Sequence, residues 1–260
     1  MEKKKVVGTG GELLMHQLVA QGVEYAFTNT GSAEAGFFDA FLTVPGVQPV
    51  LLLAESLVLS AADGYAKASN KTSFVNVHLA AGTRQGSGQL QNAYYDGSPM
   101  VVTAAMRDAG TFGDHNTLGA SAGFSQMGAV QDITKKRWEV NDARGIPLAT
   151  RRAFKEAMTM PTGPVYVAYS SPALDAKNVE GTIQAAEALE VAEVPNIGTL
   201  GKMHDALLNA KRPLLIAGPD VLTAGAQRSI LELSEHYALP TTVGFHDYGS
   251  FPVKHPNFIA

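Results

Sequence analysis

PVLLLAESLVLSAADGYAKASNKTSFVNVHLAAGTRQGSGQLQNAYYDGSPMVVTAA, residues 49–105, decides the fold. Pro49 to Leu53 is an unbroken apolar run of strand length, and Glu55 to Ser69 reads as a helix rich in Ala and Gly. Ser73 to Leu79 is a second strand. A Gly-rich turn from Gly82 to Gly88 and a helix carrying Leu90 and Ala93 lead to a third strand, Met100 to Ala104. Apolar strands alternating with helices belong to a parallel sheet covered on both faces.

The same grammar extends outward. A helical stripe runs from Gly10 to Gln21 and stops at Gly22, Glu24 to Thr28 is β-prone, and the turn Asn29 to Ser32 opens a helix reaching about Leu42. On the far side, a helix around Arg152 to Met158 precedes a strand, Pro164 to Ala168. The expected fold is an α/β, doubly wound parallel sheet with helices on both faces over residues 1–173. The acidic stretch 174–196, ending near Pro195, reads as a linker. Residues 197–260 hold the start of a second α/β domain, with strands at Arg212 to Gly218 and Pro240 to Val243 around a helix at Ala226 to Ala238.

With 260 residues, 45% of them hydrophobic and 17% charged, the chain can bury one large core or two modest ones. A net charge of -4 leaves no basic stripe, so nucleic acid is not an expected partner. The absence of cysteine removes disulfides, thiolate metal sites and thiol nucleophiles. After the basic start MEKKK, residues Glu12, His16 and Gln17 interrupt the apolar run, which argues against a signal peptide. No stretch reaches the roughly 18–20 apolar residues of a membrane span. A cytoplasmic protein is expected.

Glu55 directly follows a strand and opens a helix, at the C-terminal sheet edge where open α/β sheets bind ligands. Flanked by LLLA and SLVL, its carboxyl group is expected to be desolvated, which favours the protonated, hydrogen-bond-donating form. The competing reading is a charge that merely suits the start of a helix. The small residues of that helix, Ser60 to Ala68, suit a close subunit contact. His78 ends the next strand, either as a structural hydrogen-bonding group or as a proton-transfer catalyst. Ser32 stands in a turn ahead of a helix, where it can serve as a cap. The run Ala81 to Gly88 follows a strand as a phosphate loop would, but has neither a Gly-Lys-Ser/Thr ending nor GxGxxG spacing. Gly8-Thr9-Gly10-Gly11 has no strand expected before it. Both read as tight turns.

Four segments together carry a resemblance: TNTGSAE at 28–34, AESLVLSAADGYAKAS at 54–69, FVNVHLAAGTRQGSGQLQNAYYDGSPMVVTA at 74–104 and GPVYV at 163–167. In this order and separation they resemble the N-terminal, pyrimidine-binding domain of the thiamine-diphosphate-dependent decarboxylase and acetolactate synthase family. The His in VNVHLAAGT and the Ser in NTGS resemble its benzoylformate decarboxylase branch. KRPLLIAGPDV and LPTTVGFHDYGSFPVKHP, from Lys211 to Pro256, resemble the start of the family's middle domain.

The resemblance implies a lyase acting on a 2-oxo acid, with decarboxylation and carboligation as its chemistry. Its alternatives are a carboligase of acetolactate-synthase or 2-hydroxyacyl-CoA-lyase type and a non-catalytic regulatory or assembly homologue. It gives Glu55 the task of hydrogen-bonding N1′ of the cofactor's aminopyrimidine and promoting the imino tautomer that deprotonates C2. It makes His78 a proton-transfer residue and has Ser32 contact the substrate carboxylate. Thr30, Gly31, Gly82 and Asn92 are implied as cofactor contacts. His115 is similar to the second His of a paired motif, but Asp114 occupies the place of the first, and on the residues alone His115 is an exposed loop histidine.

The family anchors thiamine diphosphate through Mg2+ held by a Gly-Asp-Gly triplet and a downstream Asn, oxygen ligands of the kind Mg2+ requires. Neither Ala62-Asp63-Gly64 nor Gly218-Pro219-Asp220 provides that set. The metal ligands are therefore expected outside this chain, on a diphosphate-binding domain from further sequence or a partner subunit, in a dimer or tetramer.

Overall fold

The computed structural model describes residues 3–29, 31–106, 126–185, 195–244, 247 and 249–259. The chain divides into two compact units, Met1–Ala188 and Leu189–Ala260. The first contains β1 (Lys4–Gly8), α1 (Gly10–Ala20), β2 (Tyr25–Thr28), α2 (Ala35–Thr43), β3 (Gln48–Leu51), α3 (Glu55–Ser69), β4 (Ser73–Val77), α4 (Leu79–Gln85) and α5 (Ser87–Tyr95). It continues with β5 (Met100–Met106), β6 (Arg137–Val140), α6 (Ile146–Met158), β7 (Val165–Ser170), α7 (Ser171–Asp175) and β8 (Val179–Ile183).

Six strands form one parallel sheet in the order β3-β2-β4-β5-β7-β6. The side-chain period of two divides each central strand between two cores. Ala26, Phe74, Val101 and Val165 lie in register and face α1, α2 and α6, packing with Leu14, Phe37 and Phe154. Their neighbours Phe27, Val75, Val102 and Tyr166 face the other way, against Val58 and Leu59 of α3 and Leu90 of α5. Burial of a large apolar side chain in such a layer contributes about 1.5–3 kcal/mol, so the sheet's centre holds the fold.

Several details differ from the sequence reading. The apolar run at Pro49 to Leu53 is not a buried strand: β3 is an edge of the sheet, and Leu53 is 90% exposed. A strand does precede Gly8-Thr9-Gly10-Gly11, because β1 pairs antiparallel with β8. There Thr9 and Glu12 form a reciprocal capping box for α1, and a Cβ on Gly10 or Gly11 would collide with the carbonyl oxygens of Ala173 or Gly36. These glycines serve close packing, and β8 lies within the stretch read as linker. The glycine-rich segment 82–88 is mostly helical, divided between α4 and α5 at Gly86.

The second unit contains α8 (Ile197–Asn209), β9 (Leu215–Ala217), α9 (Asp220–Thr223), α10 (Gln227–His236) and β10 (Thr241–Val243). β9 and β10 pair in parallel, as the βαβ reading requires. Ser234 and Thr241 share a buried hydrogen bond, and half-buried Asn257 donates to Ser234. Among the described residues no helix is long and apolar enough to cross a membrane.

Candidate active site

The chain leaves β2 for β3 on one side and then crosses to β4 on the other, so β2 and β4 form a topological switch point. At such a point the connections diverge and leave a crevice outside the C-terminal ends of the strands, where α/β sheets bind ligands. Among the described residues, Glu34, Glu55 and His78 reach this edge beside the switch point. Glu34 closes the 3-10 turn Ser32–Glu34 after β2, Glu55 opens α3 after β3, and His78 follows β4.

Glu34 and His78 form a pair. The Glu34 side chain is 0% exposed, and its Oε2 lies 2.7 Å from His78 Nδ1. Its Oε1 accepts from the backbone N–H groups of Leu79 at 3.2 Å and Ala105 at 3.0 Å. With the carboxylate as acceptor, Nδ1–H donates, and Nε2 is the nitrogen left for other chemistry. The imidazole is 16% exposed, so it is held at its base and accessible at its tip. Gly31 makes the approach possible, since a Cβ there would overlap the imidazole at Nδ1. Its backbone is extended, so space alone demands glycine.

Glu55 has the opposite surroundings. The residue is only 7% exposed, and its carboxyl makes no hydrogen bond with any described residue. It lies over Gly82, where a Cβ would stand 2.6 Å from Glu55 Oε1. One turn on, a Cβ at Gly86 would overlap Leu59 Cδ1. Gly82 and Gly86 share a face of the helical segment, which lets α4 press directly on α3. Gly82 thus packs directly on Glu55, while of the leucines beside it in sequence Leu53 and Leu57 are exposed and Leu59 is buried. A nearly buried carboxyl without a protein partner is costly unless a ligand supplies one.

Of the other expected site residues, Ser32 is exposed at the start of its turn, where Gly31 holds the cap position and no side chain caps the turn. Asn92 lies on the exposed face of α5 with its amide bonded to Gln89 of the same helix, apart from the Glu34, His78 and Glu55 groups. Thr30 and His115 lie outside the described residues. Glu34 is the functional residue that sequence reasoning misses, because in sequence it looks like a polar turn residue. The signal available is its place in TNTGSAE, two residues beyond the turn after a strand. Among the described residues no cluster of three His, Asp or Glu side chains could hold a metal ion. A groove of about 440 Å³ lined by Asn141, Asp142, Arg144, Asn178 and Glu180 lies beyond β6 and β7 and includes neither Glu55 nor His78.

Comparison with known proteins gives the family. The N-terminal TPP binding domain of thiamine pyrophosphate enzymes matches residues 8–131, and the central domain of the same enzymes matches residues 200–260. The chain belongs to the thiamine pyrophosphate enzyme family. It is 32% identical to a benzoylformate decarboxylase from Pseudomonas aeruginosa over 91% of this chain and 44% of that protein. It is 27% identical to the acetolactate synthase large subunit of Haemophilus influenzae over 96% of this chain and 44% of that protein. Among solved structures, the thiamine diphosphate-dependent 4-hydroxybenzoylformate decarboxylase of Rhodococcus jostii RHA1 superposes with a TM-score of 0.81 at 28% identity, covering 96% of this chain and 47% of that one. The chain thus spans less than half the length of these relatives.

Proposed function

We propose that this chain forms the pyrimidine-activating part of a thiamine-diphosphate-dependent lyase that decarboxylates an aromatic or otherwise bulky 2-oxo acid. The observation that carries the reading is the nearly buried carboxyl of Glu55, packed against Gly82 with no hydrogen-bonding partner among the described residues. It suits a nitrogen heterocycle: Glu55 hydrogen-bonds a ring nitrogen, and the missing Cβ of Gly82 lets that carboxyl lie against α4. When bound, thiamine diphosphate supplies the carbon nucleophile and the electron sink for loss of carbon dioxide.

The chain's own residues hold and move protons around that chemistry. Glu55 would hold a bound aminopyrimidine through a hydrogen bond to N1′ and keep a proton available there. His78, fixed through Nδ1 by Glu34, presents Nε2 to exchange protons with the substrate-derived group. Gly31 admits the imidazole, and the substrate carboxylate is assigned to Ser32, which is exposed next to Gly31 in the chain. The diphosphate and its Mg2+ are assigned to a domain other than the two matched here, in a dimeric or tetrameric enzyme.

The test is turnover of benzoylformate and of pyruvate by the enzyme supplied with its diphosphate-binding domain, thiamine diphosphate and Mg2+. Glu55→Gln is expected to reduce turnover by about 10²-fold or more, and His78→Ala by about 10². Undiminished turnover in Glu55→Gln removes the assignment of Glu55. Carbon-carbon bond formation from pyruvate without benzoylformate turnover selects the carboligase reading, for which the acetolactate synthase relative stands.

A further inference from the structure

Leu79, the residue after His78, has a left-handed backbone with φ +52 although it is bulky and fully buried. Left-handed geometry in a non-glycine residue persists only where its surroundings impose it. Leu79 N–H donates to Glu34 Oε1, and its carbonyl accepts from Thr83 Oγ1 at 2.8 Å. The carbonyl of His78 itself accepts from Gly82 N at 2.8 Å, so one turn joins the imidazole to the glycine under Glu55.

Proton counting sets the direction of the bonds behind that turn. Thr83 gives its only hydroxyl proton to Leu79, so at the 2.7 Å contact between Thr83 Oγ1 and Tyr166 Oη the phenol must donate. Tyr166 Oη in turn accepts from Gln126 Nε2 at 2.7 Å, and the same amide donates to Ala105 O at 3.1 Å. Ala105 N–H returns to Glu34 Oε1. The result is a closed ring through Glu34, Leu79, Thr83, Tyr166, Gln126 and Ala105, every member buried.

We propose that Tyr166 is a positioning residue, whose hydroxyl locks the His78–Gly82 turn through Thr83 and thereby fixes the imidazole against Glu34. The proposal deepens the proton-transfer reading of His78 and rests on it for its functional meaning. Burial pushes the Tyr166 phenol up to about 12, so it remains a donor at any pH where the enzyme would work.

The experiment uses the whole 260-residue chain, isotope-labelled, in wild-type form and as Tyr166→Phe, Thr83→Val and Thr83→Ser. Amide hydrogen exchange at Leu79 and Gly82 and the 15N signature of the His78 tautomer are read by NMR. Tyr166→Phe and Thr83→Val should each raise exchange at those two amides about five- to tenfold and lower the share of the Nδ1–H tautomer, while β4, β5 and β7 exchange as in wild type. Thr83→Ser, which keeps the hydroxyl, should match wild type in both readouts. Unchanged exchange at Leu79 and Gly82, or an equal rise across all three strands, overturns the proposal. If Tyr166→Phe fails to fold, the Thr83→Val and Thr83→Ser pair decides by the same criteria. The catalytic reading fails separately, through wild-type turnover of His78→Ala, which leaves the exchange result standing.

Discussion

Two glutamates lie at the same edge of one sheet, and they differ in how their carboxyl groups are satisfied. Glu34 accepts from two backbone N–H groups and pairs with His78, all within the chain. Glu55, nearly as buried, has no hydrogen-bonding partner among the described residues. A satisfied buried carboxylate organises the protein around it, whereas an unsatisfied one is open to a ligand. The first acts on its neighbour and the second on what arrives from outside.

Stability measurements give the comparison its most severe test. Glu34→Ala leaves two backbone donors and an imidazole unpaired in the interior and should cost unit 1 about 3–5 kcal/mol. Glu55→Gln, with no internal bond to lose, should cost less than about 1 kcal/mol. The chain's one tryptophan, Trp138 on β6, reports urea unfolding of this unit by fluorescence. Equal losses in the two variants would mean that Glu55 too is held by the protein, and the distinction would collapse.

The next largest effect concerns the tyrosine that braces the Glu34 side. Unfolded tyrosine ionises near pH 10, but burial holds folded Tyr166 protonated until about 12. The folded state therefore retains a proton that the unfolded state loses. This contribution is fully present below pH 10 and fades as pH rises toward 12, by at most about 1.4 kcal/mol per pH unit. Urea midpoints measured from pH 9 to 11.5 should fall, and Tyr166→Phe should flatten the fall. Tyr169, whose phenol burial also pushes up, retains its share of the slope. A slope unaffected by Tyr166→Phe would detach this residue from the folded interior.

Much of this arrangement can be read from sequence, for a physical reason. Apolar strand runs and helix signals are local, so the alternation of strands and helices around Glu55 and His78 follows from residues within a few positions of each other. The thiamine pyrophosphate family is legible in the same segments. What escapes is set by distant partners. Glu34 is buried because Leu79 and Ala105, 45 and 71 residues away, converge on it. β1 gains its partner from β8, far along the chain, and nothing within either segment announces the pairing. Glycines at 82 and 86 suggest a turn by composition, yet they lie in and at the end of a helix, and the α3 side chains packed on them are what favour glycine there. The flanking leucines predict a dry Glu55, but Leu53 and Leu57 are exposed, and the close contact over Glu55 comes from a glycine of the neighbouring helix.

The glycines sharpen the comparison at its smallest scale. A Cβ on Gly31 would overlap an imidazole fixed by its partner, so Gly31→Ala should cost about 1–3 kcal/mol and separate His78 from Glu34. A Cβ on Gly82 would meet a single flexible side chain, 2.6 Å from Glu55 Oε1 and 3.0 Å from its Cγ, and that side chain has no hydrogen bond among the described residues to hold it. Gly82→Ala should therefore cost less than about 1 kcal/mol by the Trp138 assay. The displaced carboxyl would still fall out of line with a bound ring, so turnover of the enzyme with its diphosphate-binding domain should drop by about 10²-fold. A stable variant with impaired turnover is the signature of a carboxyl reserved for a ligand. A large stability loss at Gly82 with turnover preserved would instead make Glu55 part of the scaffold, as Glu34 is.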